Sequence, residues 1–122
     1  MHLSRLRGRK VNELVLSKGE RWNGKTMTIR FIMGHPKNLS APPKPGAFYL
    51  GTFASSRLDA SAVKRNRMRR RCREALRLSL AQCVGLPAVQ VLMTPRPASM
   101  TCDFADIAAD AGMFLALLKR RG

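Results

Sequence analysis

Residues 64–77 read KRNRMRRRCREALR, a run free of proline and glycine that holds eight of the chain's 23 Lys and Arg residues. Straight-chain Arg, Met, Leu and Glu lose little rotamer freedom in a helix, so the run is predicted helical. At about 100° per residue, Met68, Cys72, Ala75, Leu76 and Ser79 fall on one stripe. Arg69, Arg70, Arg73 and Arg77 gather with Asn66 on the adjoining sector. Any fold for this chain must therefore bury one face of the helix and leave beside it a fixed array of guanidinium groups.

A merely solvated helix face interleaves acids at i,i+4, because like charges at that spacing repel by a few tenths of a kcal/mol each. This run offers only Glu74 against eight cations. A polyanion supplies the missing charge, and Arg suits phosphate because its planar fork donates two hydrogen bonds at once. The whole chain agrees, with a net charge of +16 and a pI near 11.6. Such a balance implies a phosphate-rich partner held largely by counterion release, with steep salt dependence. The cations concentrate in two segments, eight in residues 5–30 and nine in 57–77, whereas three of the seven acids are Asp103, Asp106 and Asp110.

At 122 residues the chain is expected to form one domain, 1–122, with a modest core. Cys72, Cys83 and Cys102 are widely spaced and form no CxxC or Cys/His pattern, which argues against zinc and fits a reducing cytosol. Cys72, on the apolar stripe, reads as a small core residue. VNELVL is too short and too polar for a signal core, and nowhere do 18 apolar residues run together, so a soluble cytoplasmic protein is expected. Neither His2 nor His35 stands near a carboxylate in sequence, and the late aspartates match a helix N-terminal dipole better than a metal site.

Val11, Leu14 and Val15 have helical spacing within 9–18, with Gly19 as a stop. Met27, Ile29, Phe31 and Met33 alternate as in a half-buried strand that leaves Arg30 on the less apolar face. Four prolines and two glycines make 34–46 a long connection. A second strand covers 47–54, with Gly51 marking a bulge or close approach. Ser61 caps the basic helix, which runs to about Gln82. A third strand at 88–94, a turn at TPRPAS and an amphipathic helix at 103–121 complete the chain. The expectation is an α/β sandwich, with helices on one face of a small sheet and Trp22 packing the first helix onto it.

The run AVKRNRMRRRCREALR at 62–77 resembles the signature of the bacterial ribonuclease P protein subunit, with Ala62, Val63, Arg65, Asn66, Arg67, Arg69, Arg70, Arg73, Glu74 and Ala75 in register. The likeness extends to the helix closed by Gly19, to the Gly-containing strand and to Arg96, Pro97 and Ala98 after the last strand. It implies an αβββαβα fold like ribosomal protein S5 domain 2, with a left-handed crossover at the signature helix. It further implies a monomeric, non-catalytic protein in a 1:1 complex with a catalytic RNA, which removes the 5′ leader of precursor tRNA using Mg²⁺ bound mainly by the RNA. Chemistry of that kind on RNA phosphates needs no protein nucleophile and no protein metal site.

By that resemblance Arg57, Lys64, Arg65, Asn66, Arg67, Arg69, Arg70 and Arg73 grip the RNA subunit, Arg57 standing alone where the family has a Lys pair. The family's leader cleft carries two Phe on the first helix and a strand Tyr. Here those positions are Asn12, Leu16 and Arg30, so leader contacts are expected from Asn12, Leu16, Thr28, Arg30 and either Phe48 or Tyr49. A small basic ribosomal protein is the alternative, although ribosomal proteins commonly add long basic tails that are missing here. A helix-turn-helix DNA regulator would need a short helix before the basic one, where SSRLDAS instead follows a strand.

Overall fold

A computed structural model describes residues 3–37 and 47–121. Most of the connection expected at 34–46, and His2, lie outside the described residues. Five strands form one mixed sheet: β1 (Leu3–Arg5), β2 (Glu20–Asn23), β3 (Met27–Met33), β4 (Phe48–Thr52) and β5 (Val89–Pro95), in the order β1-β4-β5-β3-β2. The helices are α1 (Arg9–Lys18), α2 (Ala62–Ala81) and α3 (Phe104–Arg121), and a 3₁₀ turn spans Pro97–Met100. β4 and β5 are parallel neighbours joined through α2, while β3 runs antiparallel to both β5 and β2.

Period-two alternation sorts the sheet into two faces. Met27, Ile29 and Phe31 of β3, Phe48 and Leu50 of β4, and Val89, Val91 and Met93 of β5 share one core with α2 and α3. The stripe read from the sequence delivers Cys72, Ala75 and Leu76 to that core, Leu80 extends it, and Met68 is buried on the same stripe. α1 lies elsewhere. Its Val15 packs with Tyr49 and Leu92, which point the other way, so the helices occupy both faces rather than one. The reason lies in even-numbered residues: Ile32 and Leu92 give the second face an apolar centre that needs its own cover.

Two strands escaped the sequence reading, because β1 and β2 have three and four residues, too few for alternation to register. Gly19 does end α1, but in extended backbone (φ −69°) rather than a left-handed cap. Glycine is needed there for space, since a Cβ would lie 2.4 Å from the Val15 carbonyl oxygen. Trp22 is a packing residue, yet it meets Phe114 of α3 at 5.7 Å between ring centroids and not α1, because β2 turns that side chain toward the larger core. Asp110 departs from a dipole role. Buried, it accepts hydrogen bonds from the Thr26 amide (2.7 Å) and hydroxyl (2.5 Å), pinning the β2–β3 turn to α3.

Cys72 is enclosed in the core, and burial pushes its thiol up to about 11, only partly offset by a hydrogen bond with Ser99. A thiol raised above its usual 9.0 favours the protonated fold, so this contribution is complete below pH 9 and fades as pH rises toward 11. Native protein at pH 8 should therefore lose its two partly exposed thiols, Cys83 and Cys102, to an alkylating reagent while Cys72 reacts only on unfolding. Mass mapping of the modified peptides checks this, and rapid labelling of Cys72 in the native state would contradict the packing described.

Candidate nucleic-acid interface

The Ser61 hydroxyl oxygen accepts from the Lys64 amide at 3.3 Å, capping α2, and the Asp59 carboxylate accepts from the Ser61 amide at 2.8 Å. Arg65 donates through Nη1 to the carbonyls of Asp59 (2.8 Å) and Ala60 (3.1 Å). These bonds tie the loop bearing exposed Arg57 to the first turn of α2, and engage part of the Arg65 guanidinium within the fold.

Lys64, Asn66, Arg67, Arg70 and Arg73 are exposed along α2. Half-buried Arg69 donates through Nη1 to Asn66 Oδ1 at 3.3 Å, while its Nε is buried without a hydrogen-bond partner. Leaving such a donor unpaired is costly. Val63, Asn66, Arg69 and Arg70 line a shallow depression of about 370 Å³ around it.

Two further members of the basic run are used by the protein itself. Arg71 donates to the carbonyls of Ser99 and Cys102, both at 2.6 Å, and so fastens α2 to the segment before α3. Arg77 bonds both carboxylate oxygens of Glu74, holding that acid below its ordinary range and cancelling the charge of this turn. The array facing outward therefore ends near Arg73.

Arg73 reaches a cavity of about 550 Å³ that it shares with Arg5, Arg7, Gly8, Asn12, Gly51 and Thr52. The unpredicted strand β1 creates this corner by placing Arg5 beside β4 and ending where the Leu6 amide donates to the Leu50 carbonyl at 3.0 Å. The first turn of α1 opens there, preceded by Gly8 (φ 98°) with no side-chain cap, so its amides and dipole favour an anion. Two cationic segments far apart in sequence thus become one surface. Only the pairing of β1 with β4 brings them together, so no local signal could have shown it.

Beyond Asn12, the remaining candidates other than Phe48 lie on α1 and on the sheet face that α1 covers. Asn12 Nδ2 donates to the carbonyls of Leu6 (3.1 Å) and Gly8 (2.8 Å), and a Cβ on Gly51 would stand 2.5 Å from Asn12 Oδ1. Gly51 therefore marks a close approach of α1 and not a bulge. Leu16, one turn further along α1, is 47% exposed. Thr28 and Arg30 are half-buried on β3, in register with Asn23 and Arg21 of β2. The Arg21–Arg30 pair sets like charges directly opposite, an unfavourable arrangement, and neither makes an ion pair among the described residues.

The two aromatics expected among the leader contacts are not available there. Phe48 points to the opposite face and is fully enclosed in the core against α2 and α3, because alternation along β4 puts it with Leu50. Tyr49 is on the α1 face but only 5% exposed, covered by Val15, with its hydroxyl 3.0 Å from His35 Nδ1. Phe53, within the strand expected at 47–54, is 51% exposed, and the other exposed aromatic among the described residues is Phe104 at the start of α3, at 36%. Among the described residues no group of three or more His, Cys, Asp or Glu could hold a metal ion, and no helix is long and apolar enough to cross a membrane.

Comparison with known proteins places this surface in context. The Ribonuclease P family profile matches residues 2–119. The ribonuclease P protein component of Synechococcus sp. (strain RCC307) is 33% identical over 99 residues, covering 79% of this chain and 76% of its own. The RNase P protein of Staphylococcus aureus superposes with a TM-score of 0.67 at 17% identity, covering 93% of this chain and 95% of that one. That of Thermotoga maritima gives 0.66 at 21% identity, with 96% of each chain covered. Sequence and fold together show that the chain belongs to the ribonuclease P protein family, the protein component of the RNA-based endoribonuclease that matures tRNA 5′ ends.

Proposed function

We propose that this protein acts as a monomer, 1:1 with its RNA in the cytoplasm, and binds two RNAs at once: the catalytic subunit through α2 and the 5′ leader of precursor tRNA through the α1 groove. The observation that carries this reading is the continuity of the basic surface. Arg57, Lys64, Arg65, Asn66, Arg67, Arg69, Arg70 and Arg73 form one flank, Arg73 and Asn12 border the same cavity, and Leu16 of α1 with Thr28 and Arg30 of β3 stay open or half-open beyond it. Phosphates on the α2 flank satisfy the cations the fold leaves without acids, and an unpaired strand fits the groove.

Residues in this arrangement position RNA and neutralise it. Mg²⁺ is held mainly by the catalytic RNA, which supplies the metal-assisted attack on the phosphate. The protein lowers the electrostatic cost of bringing substrate and catalyst together, an effect largest where Mg²⁺ is scarce. Reconstitution with a bacterial ribonuclease P RNA and a precursor tRNA at low Mg²⁺ tests the reading. Protein-dependent release of an intact 5′ leader is expected. Binding to the cognate RNA without any gain in cleavage would refute it and favour a ribosomal role.

A further inference from the structure

We propose that Phe53 is the base-stacking residue of the leader groove in this chain, an inference that rests on the leader-binding reading above. The ladder between β4 and β5 does not stop at Thr52–Met93, because the Phe53 amide donates to the Met93 carbonyl at 2.9 Å. Its backbone is thereby held in line with the strand. Phe53 lies two residues beyond Gly51, whose missing Cβ faces Asn12 and Leu6, so period-two alternation turns the phenyl ring to the α1 face. The same register sets it beside Thr94, which pairs with Thr28, which pairs with Asn23. Phe53, Thr94, Thr28 and Asn23 thus form one row across the sheet, next to the row of Gly51, Leu92, Arg30 and Arg21 that Asn12 of α1 approaches at Gly51.

Single exposed apolar residues are common and by themselves mean little. Phe53 differs from Val84 or Met113 in its surroundings. It sits at the head of a polar row that can hydrogen-bond base edges, the adjoining row carries Arg21 and Arg30, and exposed Arg57 and Arg96 follow the ends of the two strands that hold it. A flat aromatic with cations to either side is the arrangement that binds single-stranded RNA with little dependence on base identity. Among the residues expected to contact the leader, Asn12, Leu16 and Arg30 offer no aromatic ring and Phe48 and Tyr49 are enclosed.

The test uses the reconstituted holoenzyme with precursor tRNAs carrying either a leader of several nucleotides or none. Phe53→Ala should weaken binding of the long-leader substrate by about 5- to 150-fold, the range for one stacked base. It should leave leaderless binding and RNA-subunit affinity unchanged, and Phe53→Tyr should restore the loss. With 2-aminopurine placed at successive leader positions, quenching at one position should disappear in Phe53→Ala and return in Phe53→Tyr. An unsubstituted holoenzyme indifferent to leader length would overturn the leader reading and this proposal together. A leader preference that survives in Phe53→Ala would overturn the assignment of Phe53 alone. So would a concentration-dependent dimer of the free protein that Phe53→Ala abolishes, since the ring would then belong to a contact between copies.

Discussion

Raising monovalent salt from about 50 to 200 mM should weaken the complex with the ribonuclease P RNA by roughly 10³- to 10⁵-fold, the loss expected for 6–10 neutralised phosphates. Lys64, Arg65, Arg67, Arg69, Arg70 and Arg73 along α2, joined by Arg5 and Arg7 at the cavity, supply a number of cations within that range. Each residue that meets a phosphate should carry about one unit of the slope of log K against log salt. Arg69→Ala with Arg73→Ala should then flatten the slope by about two, and weaken RNA assembly more than leader binding. Arg77→Ala should leave the slope unchanged, because Glu74 already neutralises that guanidinium. Fluorescence titrations across a salt series measure all three proteins, and an unsubstituted slope shallower than about three would remove the case for an extended phosphate interface.

Phe114→Ala should destabilise the fold by about 3–5 kcal/mol, the usual cost of truncating a fully buried Phe. Its ring lies 5.3 Å from Phe31 edge-on and 5.7 Å from Trp22, so it joins α3 to the two strands at that end of the sheet. The backbones of β2 and β3 are fixed by their ladder and by the Asp110–Thr26 bonds, which limits collapse into the vacated space. Against a total of about 5–15 kcal/mol for a typical domain, the loss is a large fraction. In urea the midpoint should fall with little change in slope, and a shift under about 1.5 kcal/mol would show that the site closes over the gap.

The apolar stripe of α2 was legible because Met68, Cys72, Ala75 and Leu76 recur at helical spacing, and the same holds for Ile107, Ala111, Phe114 and Leu118 of α3. Met27, Ile29 and Phe31 showed β3 by alternation. The outer face of α2 was equally readable, since charge without countercharge is a local property of the sequence. Arg71 shows what such reading leaves open: charge alone gives it no role, and its position in the fold points it at the carbonyls of Ser99 and Cys102. Phe48 and Tyr49 fail similarly, since an apolar run of strand residues says nothing about which face will be covered by a helix and which left open.

Elements with a strong period and the dense positive charge of α2 were legible locally, because periodicity and charge density act between residues a few positions apart. Which cations converge, and why Phe53 is open while Phe48 and Tyr49 are enclosed, follows from long-range contacts. Arg5 and Arg7 meet Arg73 only once β1 pairs with β4, and Phe53 is held in line with β4 only once the β5 backbone accepts its amide, while α1 encloses Tyr49 and Leu92. Those contacts join residues far apart along the chain, and burial and hydrogen bonding across the sheet select them without leaving a local trace.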